Sequence, residues 1–473
     1  MKTLVLFMLI MMISPFMMAQ ITFERPFGGA ENDIGYCVQQ TSDSGYIICG
    51  TSMSFNPYFL NNFYIVKTNK LGFVDWESTF GQADFGHLLK SIRQTPDGGY
   101  IACGQINGPG DGNDFYLVKF TEGGDTSWTK QFNKGGNDLA EWIEITKDQG
   151  YIICGMANNE VTHADIYLVK TDASGQMTWD KTIDMGKKEH GLCIRQTKDE
   201  GYIISGYQED LITNKDDIIL VKTNGTGDTS WTKTFGSAFD DMGFGVCQTE
   251  DEGYVIAGYT FINDFNSQVY LIKTNSNGTQ EWAKSYGGNN LDVGYSLYQT
   301  DDNGFIICGS ECSFGYGYDD VYLIKTNSGG DTLWTRHFGG SEIDVGLSVM
   351  QTYDNGNSIC GYTASMGAGE DDVYLIKTDA NGHIGSTGIQ ANESDSFIVY
   401  PNPAKGKLTI DINNKVNYVE IFNSRGTVVY SKLINGHPDH SVEVNVSGLP
   451  GGLYIIRIDN GTSSSCRKVM IYL

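Results

Sequence analysis

The chain of 473 residues carries 32 Lys and Arg against 57 Asp and Glu, a formal charge of −25, and holds 59 Gly, 9 Pro and 12% aromatic residues. An acid excess of this size repels nucleic acid and anionic lipid headgroups and so excludes them as partners. Abundant Gly and aromatics, without long helix-period stripes, predict an all-β fold.

The chain opens on MKTLVLFMLIMMISPFMMA, in which Lys2 precedes an apolar run and the small Ala19 precedes Gln20. Residues 1–19 therefore read as a secretory signal peptide. The run is too short for a comfortable bilayer span, and no other stretch approaches the roughly 20 apolar residues of a transmembrane helix. A soluble, exported chain with no transmembrane segment is expected.

Seven related segments follow, beginning at Gly45, Gly99, Gly150, Gly201, Gly253, Gly304 and Gly356, as in GYIICG, GYVIAG and GNSICG. They recur every 51 to 54 residues. Each follows T-x-D-x-G and precedes a phrase such as DVYLIKT, whose Lys is Lys67, Lys119, Lys170, Lys222, Lys273, Lys325 or Lys377. Nine residues past the first six of these stands a Trp: Trp76, Trp128, Trp179, Trp231, Trp282 and Trp334. After Lys377 that position is Ser386, so the last repeat lacks its final strand. The missing strand lies at the other end, because TFERPFGG from Thr22 aligns with DWESTFGQ from Asp75 and EWAKSYGG from Glu281, with Phe23 in the Trp position.

Splitting one repeat between the termini gains nothing for an open solenoid but ties a closed ring together. Four short apolar runs per repeat, separated by Gly and Asp turns, are the content of one propeller blade. The sequence thus predicts a seven-bladed β-propeller over residues 20–386, with the N-terminal strand closing the last blade. In T-x-D-x-G the Asp is expected to bond the backbone ahead of it and the Gly to take positive φ. A calcium loop is disfavoured because the full D-x-[DN]-x-[DN]-G series with its distant Glu is absent. The Lys is expected near the same turn, as in Lys67 with Asp43. The combined pattern of DGGYI hairpins, D-x-YLVK strands and W-x-K-x-FGG closings resembles the bacterial beta-propeller repeat family of secreted proteins. That resemblance implies a propeller and says little about ligand or activity.

Ten Cys in an exported chain invite a disulfide framework. Cys49, Cys103, Cys154, Cys308 and Cys360, however, share one repeated slot with Ser205 and Ala257, which reads as small buried filler. Neighbouring slots lie about 10 Å apart, beyond the ~7 Å limit of a bridge. Cys37 with Cys49 and Cys308 with Cys312 are the local pairs to test. Of the total charge, Lys2 contributes +1 and residues 391–473 contribute +1, leaving −27 on the propeller, suited to solubility, cations or basic partners.

An acid is read ahead of the first strand of every repeat: Asp33, Asp84, Asp138, Glu189, Asp241, Asp292 and Asp344. These acids either ring the mouth of a central channel or accept backbone N–H groups in the loop entering each blade. Ligand recognition is expected where the repeats differ, in loops such as TSMSFNPYFLNN from Thr51, YTFINDFNS from Tyr259 and SECSFGYGYD from Ser310. Candidate ligand-binding residues there are Phe261, Phe265, Phe314, Tyr316, Tyr318, Asp319 and Asp320. They suit stacking on a sugar or clamping a peptide, or equally packing each loop on its blade.

No G-x-S-x-G, H-E-x-x-H or Walker-type loop is present, and His87, His163 and His190 lack metal-ligand spacing. No catalytic residue, metal or cofactor is assigned. Turns such as TDASGQMTW from Thr171 depart by one residue, twice, from the sialidase Asp box. A two-carboxylate glycosidase pair across the mouth has seven candidate members and no means of choosing among them.

Residues 387–396, including QANESDSF from Gln390, read as a linker, and residues 397–473 alternate apolar and polar residues as half-buried strands do. Six or seven such strands predict a small β-sandwich. Tyr400, Pro401, Asn402 and Pro403 open the segment, IFNSRG ends at Gly426, Leu449, Gly452 and Tyr454 form L-x-x-G-x-Y, and Lys468 stands in the closing strand. In this order the blocks closely resemble the type A C-terminal sorting domain of the type IX secretion system of Gram-negative bacteria. The resemblance implies passage across the outer membrane by that machinery, then removal of the domain, leaving the cargo secreted or anchored at the cell surface. The expected protein is a monomeric, non-catalytic binding or adhesion propeller for an extracellular glycan or protein. The competing reading is a polysaccharide-acting hydrolase or lyase on the same scaffold.

Overall fold

The computed structural model describes residues 20–384 except 57, 59, 82–85, 109–111, 159–162 and 316, and residues 397–472 except 413–417, 424–427, 434–440 and 460–463. The segments expected to be a signal peptide (1–19) and a linker (387–396), with Asp84, Tyr316 and Gly426, lie outside the described residues. All regular elements described are β-strands. Among the described residues no helix is long and apolar enough to cross a membrane. The chain divides into two compact units, one of Gln20–Ile384 and one beyond it.

The first unit is a series of four-stranded antiparallel sheets, seven among the described residues, of the kind propellers are built from. Six use four consecutive strands. In the seventh, the opening strand Phe23–Phe27 pairs with Asp372–Thr378, placing Phe23 opposite Lys377 and Phe27 opposite Val373. Phe23 occupies the Trp slot: its ring lies 5.8 Å edge-on from Tyr46, as Trp76 lies 6.0 Å from Tyr100 and Trp231 5.9 Å from Tyr254. The β-branched second and third strands are almost wholly buried, and each apolar cluster joins one sheet to the next. One more cluster joins the last sheet to the first through Phe23, Cys360, Val373, Val38 and Tyr64.

The T-x-D-x-G turns are built alike. Thr41 hydroxyl and Gly45 N–H donate to Asp43, and Lys67 Nζ reaches the same carboxylate at 2.8 Å while also donating to the Thr68 carbonyl. The six other Lys–Asp pairs repeat this at 2.8–3.0 Å. Burial pulls against ionisation, but the Lys67, Thr41 and Gly45 donors hold Asp43 down at about 2.

One expectation is corrected: the positive φ belongs to the residue before the Gly, at Ser44 (67°), Gln149 (65°), Glu200 (66°), Glu252 (64°), Asn303 (62°) and Asn355 (61°). The Gly is required for space, since a Cβ on Gly45 would lie 2.1 Å from the Thr68 carbonyl oxygen and 2.7 Å from Lys67 Nζ. The nine described cysteines are free, so neither Cys37 and Cys49 nor Cys308 and Cys312 are bridged.

The second unit has seven strands hydrogen-bonded in one order, and its first strand, Phe397–Lys405, serves both halves. Its Phe397–Tyr400 part pairs with Lys407–Ile412, and Ala404 pairs with Ile471. Alternating residues such as Leu408, Ile410, Val419, Ile421, Val442 and Ile456 fill a single core.

Candidate functional site

The first strands of the seven sheets are Asp33–Gln40, His87–Gln94, Asn137–Ile145, Lys188–Gln196, Asp241–Gln248, Asp292–Gln299 and Asp344–Gln351. Each carries a β-bulge at the same place, where the register with the second strand skips one residue. The skipped residues are Tyr36, Lys90, Glu141, Leu192, Phe244, Tyr295 and Leu347. A bulge leaves its extra residue unpaired and re-aims the side chain. All seven line one pocket of about 340 Å³, whose wall is completed by Trp142, His190, Tyr207 and Met242. That size and mixture suit a small ligand or an inserted side chain.

The pocket is divided by chemistry. On one side Lys90 Nζ lies 3.5 Å from the Glu141 carboxylate and 4.3 Å over the Tyr36 ring. His190 Nε2 lies 3.4 Å from Glu141, and its Nδ1 lies 3.3 Å from the Tyr207 hydroxyl. Burial pushes the Glu141 carboxyl up, but Lys90 and His190 outweigh it and hold the group below the usual range. Burial likewise pulls Lys90 down, and Glu141 more than restores it. Both groups therefore stay charged at neutral pH. On the other side stand Leu192, Met242, Phe244, Tyr295 and Leu347, with the Phe244 and Tyr295 rings 5.1 Å apart.

Trp142 is held between the guanidinium groups of Arg93 and Arg195, at 4.6 and 4.5 Å. Its buried indole Nε1 has no hydrogen-bond partner among the described residues. The sequence carried a signal here, because Trp142 is the one Trp outside the repeated slot.

The acids read from the sequence lie elsewhere. Asp33, Asp138, Glu189, Asp241, Asp292 and Asp344 are fully buried. Each accepts a backbone N–H of the entering loop, as from Gly29 to Asp33 at 2.7 Å, Ser237 to Asp241 at 2.6 Å and Gly340 to Asp344 at 2.8 Å. The N–H groups of Lys134, Lys187 and Gly288 serve Asp138, Glu189 and Asp292 in the same way. In the second repeat the strand register corrects the assignment: His87, paired with Ile106, holds the slot that Asp33, paired with Ser52, holds in the first. His87 is eight residues before Thr95, as Asp33 is before Thr41, whereas Asp84 is three residues too early.

Among the described residues, none of the loop candidates lines the pocket. Phe314 rests against His337 and Tyr322 at 6.0 and 6.5 Å, and Phe261 packs edge-on to Tyr259 at 5.5 Å. Tyr318 and Phe265 project into solvent, 72% and 84% exposed. Asp319 accepts the Cys312 thiol, and Asp320 is buried beside Gly339. His163 is exposed.

In the second unit Pro401 and Pro403 are exposed, Tyr400 is half-exposed, and the Tyr454 hydroxyl donates to the Pro450 carbonyl at 2.8 Å. Gly452 opens the strand Gly452–Asp459, and Lys468, exposed, pairs with Ile455 in the last one. Residues 398–472 match the secretion system C-terminal sorting domain family. This sorting domain directs export through the type IX secretion system, to the cell surface or the extracellular space.

No curated protein matches the chain. Similar solved structures include PorZ, a bacterial surface component of the type-IX secretion system of Porphyromonas gingivalis, at 13% identity and TM-score 0.45. That match covers 94% of this chain and 60% of PorZ, so the chain spans less than two thirds of that protein. The Pan2 WD40 domain of Neurospora crassa is 9% identical over 77% of this chain and 98% of that one, with TM-score 0.46. Sqt1 of Chaetomium thermophilum is 12% identical over 72% and 83%, with TM-score 0.41.

Proposed function

We propose that residues 20–386 form a closed seven-bladed β-propeller that binds an extracellular ligand without chemistry, and that the sorting domain delivers it and is then removed. Closure is supported by the pairing of Phe23–Phe27 with Asp372–Thr378 and by the apolar cluster shared by the last and first sheets. The observation that carries the binding reading is the set of seven bulges, one per sheet, all aimed at one pocket. The ligand suited to it is small and amphipathic, or is an exposed side chain of a glycan- or protein-bearing partner. Its apolar part would face Phe244, Tyr295 and Leu347, and its polar part Lys90 and Glu141. The non-catalytic reading is supported by Glu141, the one carboxylate among the described lining residues, which is kept ionised by Lys90 and by its contact with His190. A glycosidase needs a second carboxylate and a group that holds its proton.

Glycan and peptide arrays probed with the wild-type chain and with a Phe244→Ala/Tyr295→Ala variant test the reading. Binding that the variant loses at unchanged melting temperature supports the pocket. Binding that survives moves the site to exposed loop residues such as Tyr318 and Phe265, and release of a cleaved product favours the hydrolase or lyase.

A further inference from the structure

The junction between the third and fourth sheets differs from its relatives. Five residues before the buried acid stands a Gly in four repeats: Gly28, Gly236, Gly287 and Gly339. A Cβ there would collide with carboxylates, at 2.3 and 2.4 Å from Asp372 and Asp33 for Gly28, and at 2.3 and 2.5 Å from Asp320 and Asp344 for Gly339. At this junction the slot holds Asp184, and the acid is the longer Glu189. Asp165, from the third strand of the preceding sheet, completes a group in which one oxygen from each residue lies within 4.8 Å of the others.

A second observation points to a ligand. Glu189 is fully buried, and its Oε2 accepts no hydrogen bond among the described residues, while Oε1 takes the Lys187 N–H at 2.9 Å. Asp33, Asp138, Asp241, Asp292 and Asp344 each have one such free oxygen, but among the described residues only here does a third carboxylate, Asp184, join the group. Neighbouring ammonium groups are engaged elsewhere: Lys187 with Asp210 at 3.1 Å, Lys188 with Glu209 at 2.6 Å and Lys134 with Asp180 at 2.7 Å. Burial, then the charges of Asp165 and Asp184, push the Glu189 carboxyl above its usual range.

We propose that Asp165, Asp184 and Glu189 hold a Ca²⁺ ion. An all-oxygen donor set selects a hard cation, and donor atoms that all lie within 4.8 Å of one another can share one Ca²⁺ at about 2.4 Å per Ca–O bond. Mg²⁺ demands a near-ideal octahedron and gives up its water reluctantly, so Ca²⁺ better suits a group in which two of the carboxylates are buried. Asp184 is exposed while the other two are buried, so the ion enters from solvent past Asp184 and completes its shell with water. An exported chain meets calcium at concentrations matched by extracellular sites, whose dissociation constants run about 10⁻⁴–10⁻³ M.

The test is calorimetric titration of CaCl₂ into the purified, EDTA-stripped chain and into Asp184→Gly, which installs the residue of four other repeats. Asp184→Asn, which keeps the volume and loses the charge, is the second variant, and circular dichroism melting verifies that each is folded. The expected result is one Ca²⁺ per wild-type chain in that affinity range, at least tenfold weaker in the variants. No binding by the wild-type chain at millimolar Ca²⁺ overturns the proposal, as does unchanged affinity in a folded variant. Equal or tighter binding of Mg²⁺ overturns the choice of ion.

Discussion

The backbone N–H of Tyr353 donates to Gln40 Oε1 at 2.8 Å, although 313 residues separate the two. The same bond runs from the second residue of other T-x-D-x-G turns to the Gln ending the next first strand. It joins Ser42 to Gln94, Lys147 to Gln196, Lys198 to Gln248 and Asp301 to Gln351 at 2.8–2.9 Å. In the second repeat the donor position is Pro96, which has no N–H, and the acceptor position is Ile145. Loss of the donor is thus matched by loss of the acceptor, as the cost of an unpaired amide requires.

A double-mutant cycle measures this coupling. Ile145→Gln alone is expected to be neutral or destabilising by up to about 1 kcal/mol, because its amide meets no donor. Combined with Pro96→Ala it should recover, with a favourable interaction of about 1 kcal/mol in urea unfolding. Strict additivity would show that the two positions are independent.

Phe23→Ala should destabilise the first unit by about 3 kcal/mol or more, since the ring is 5% exposed and fills the Trp slot against Tyr46. Phe265→Ala, at an exposed hairpin tip, should change stability by less than about 0.5 kcal/mol. Thermal melts of the two variants make the comparison, and similar losses would remove the opening strand from the core.

The turn geometry predicts opposite effects at adjacent residues. Glu200→Gly relieves a left-handed backbone and should be neutral or stabilising by up to about 1 kcal/mol, offset by the added freedom of the unfolded chain. Gly201→Ala places a methyl 2.2 Å from the Thr223 carbonyl oxygen and 2.4 Å from Lys222 Nζ, and should destabilise clearly. Chemical denaturation of both variants checks the signs.

Stability should pass through a maximum near pH 4–5. Asp43, Asp251 and Asp302 are held at about 2 against their burial by Lys and Thr partners, and Asp97, Asp148, Asp199 and Asp354 are lowered similarly. Their stabilisation is present above an unfolded value of about 3.9 and is lost as pH falls through about 2. Asp138 has the opposite sign, raised to about 6 by burial and Asp114, and Glu189, Asp292 and Asp372 are raised as well. The folded chain binds those protons more tightly, so stability is gained as pH falls from about 6 toward 4. A melting temperature still climbing from pH 5 to 8 would contradict this account.

Removing residues 397–473 should leave a folded first unit that accumulates in the periplasm instead of at the surface. Cell fractionation with a melting curve of the truncated chain checks both parts. Surface delivery of the truncated chain would assign export to another segment.

Much of this architecture was legible because its signals are short and repeated. T-x-D-x-G with its Lys, the Phe23 alignment and the blocks around Tyr400 and Tyr454 each rest on spacings within one chain segment. The pocket was not legible, because a bulge breaks the period-2 rule: Gly35 and Cys37 bracket Tyr36 as paired residues, so alternation assigns the wrong face. His87 is hidden in the sequence for a related reason, since an acid three residues earlier satisfies the pattern while the register requires counting back from Thr95. Variation draws recognition toward the loops, whereas seven single positions inside otherwise uniform strands also vary and carry the lining.

Those seven positions have a consequence for engineering. An extra residue in a strand is held by its neighbours' backbone bonds and not by its own side chain, so its identity is separable from the apolar packing between sheets, the Lys90–Glu141–His190 contacts being the polar exception. A library randomised at codons 36, 90, 141, 192, 244, 295 and 347, with 90 and 141 varied together so that no buried charge loses its partner, would sample acidic, basic, aromatic and aliphatic linings on one frame. Selection from such a library would turn the natural scaffold into a reagent whose specificity is rewritten one letter per repeat.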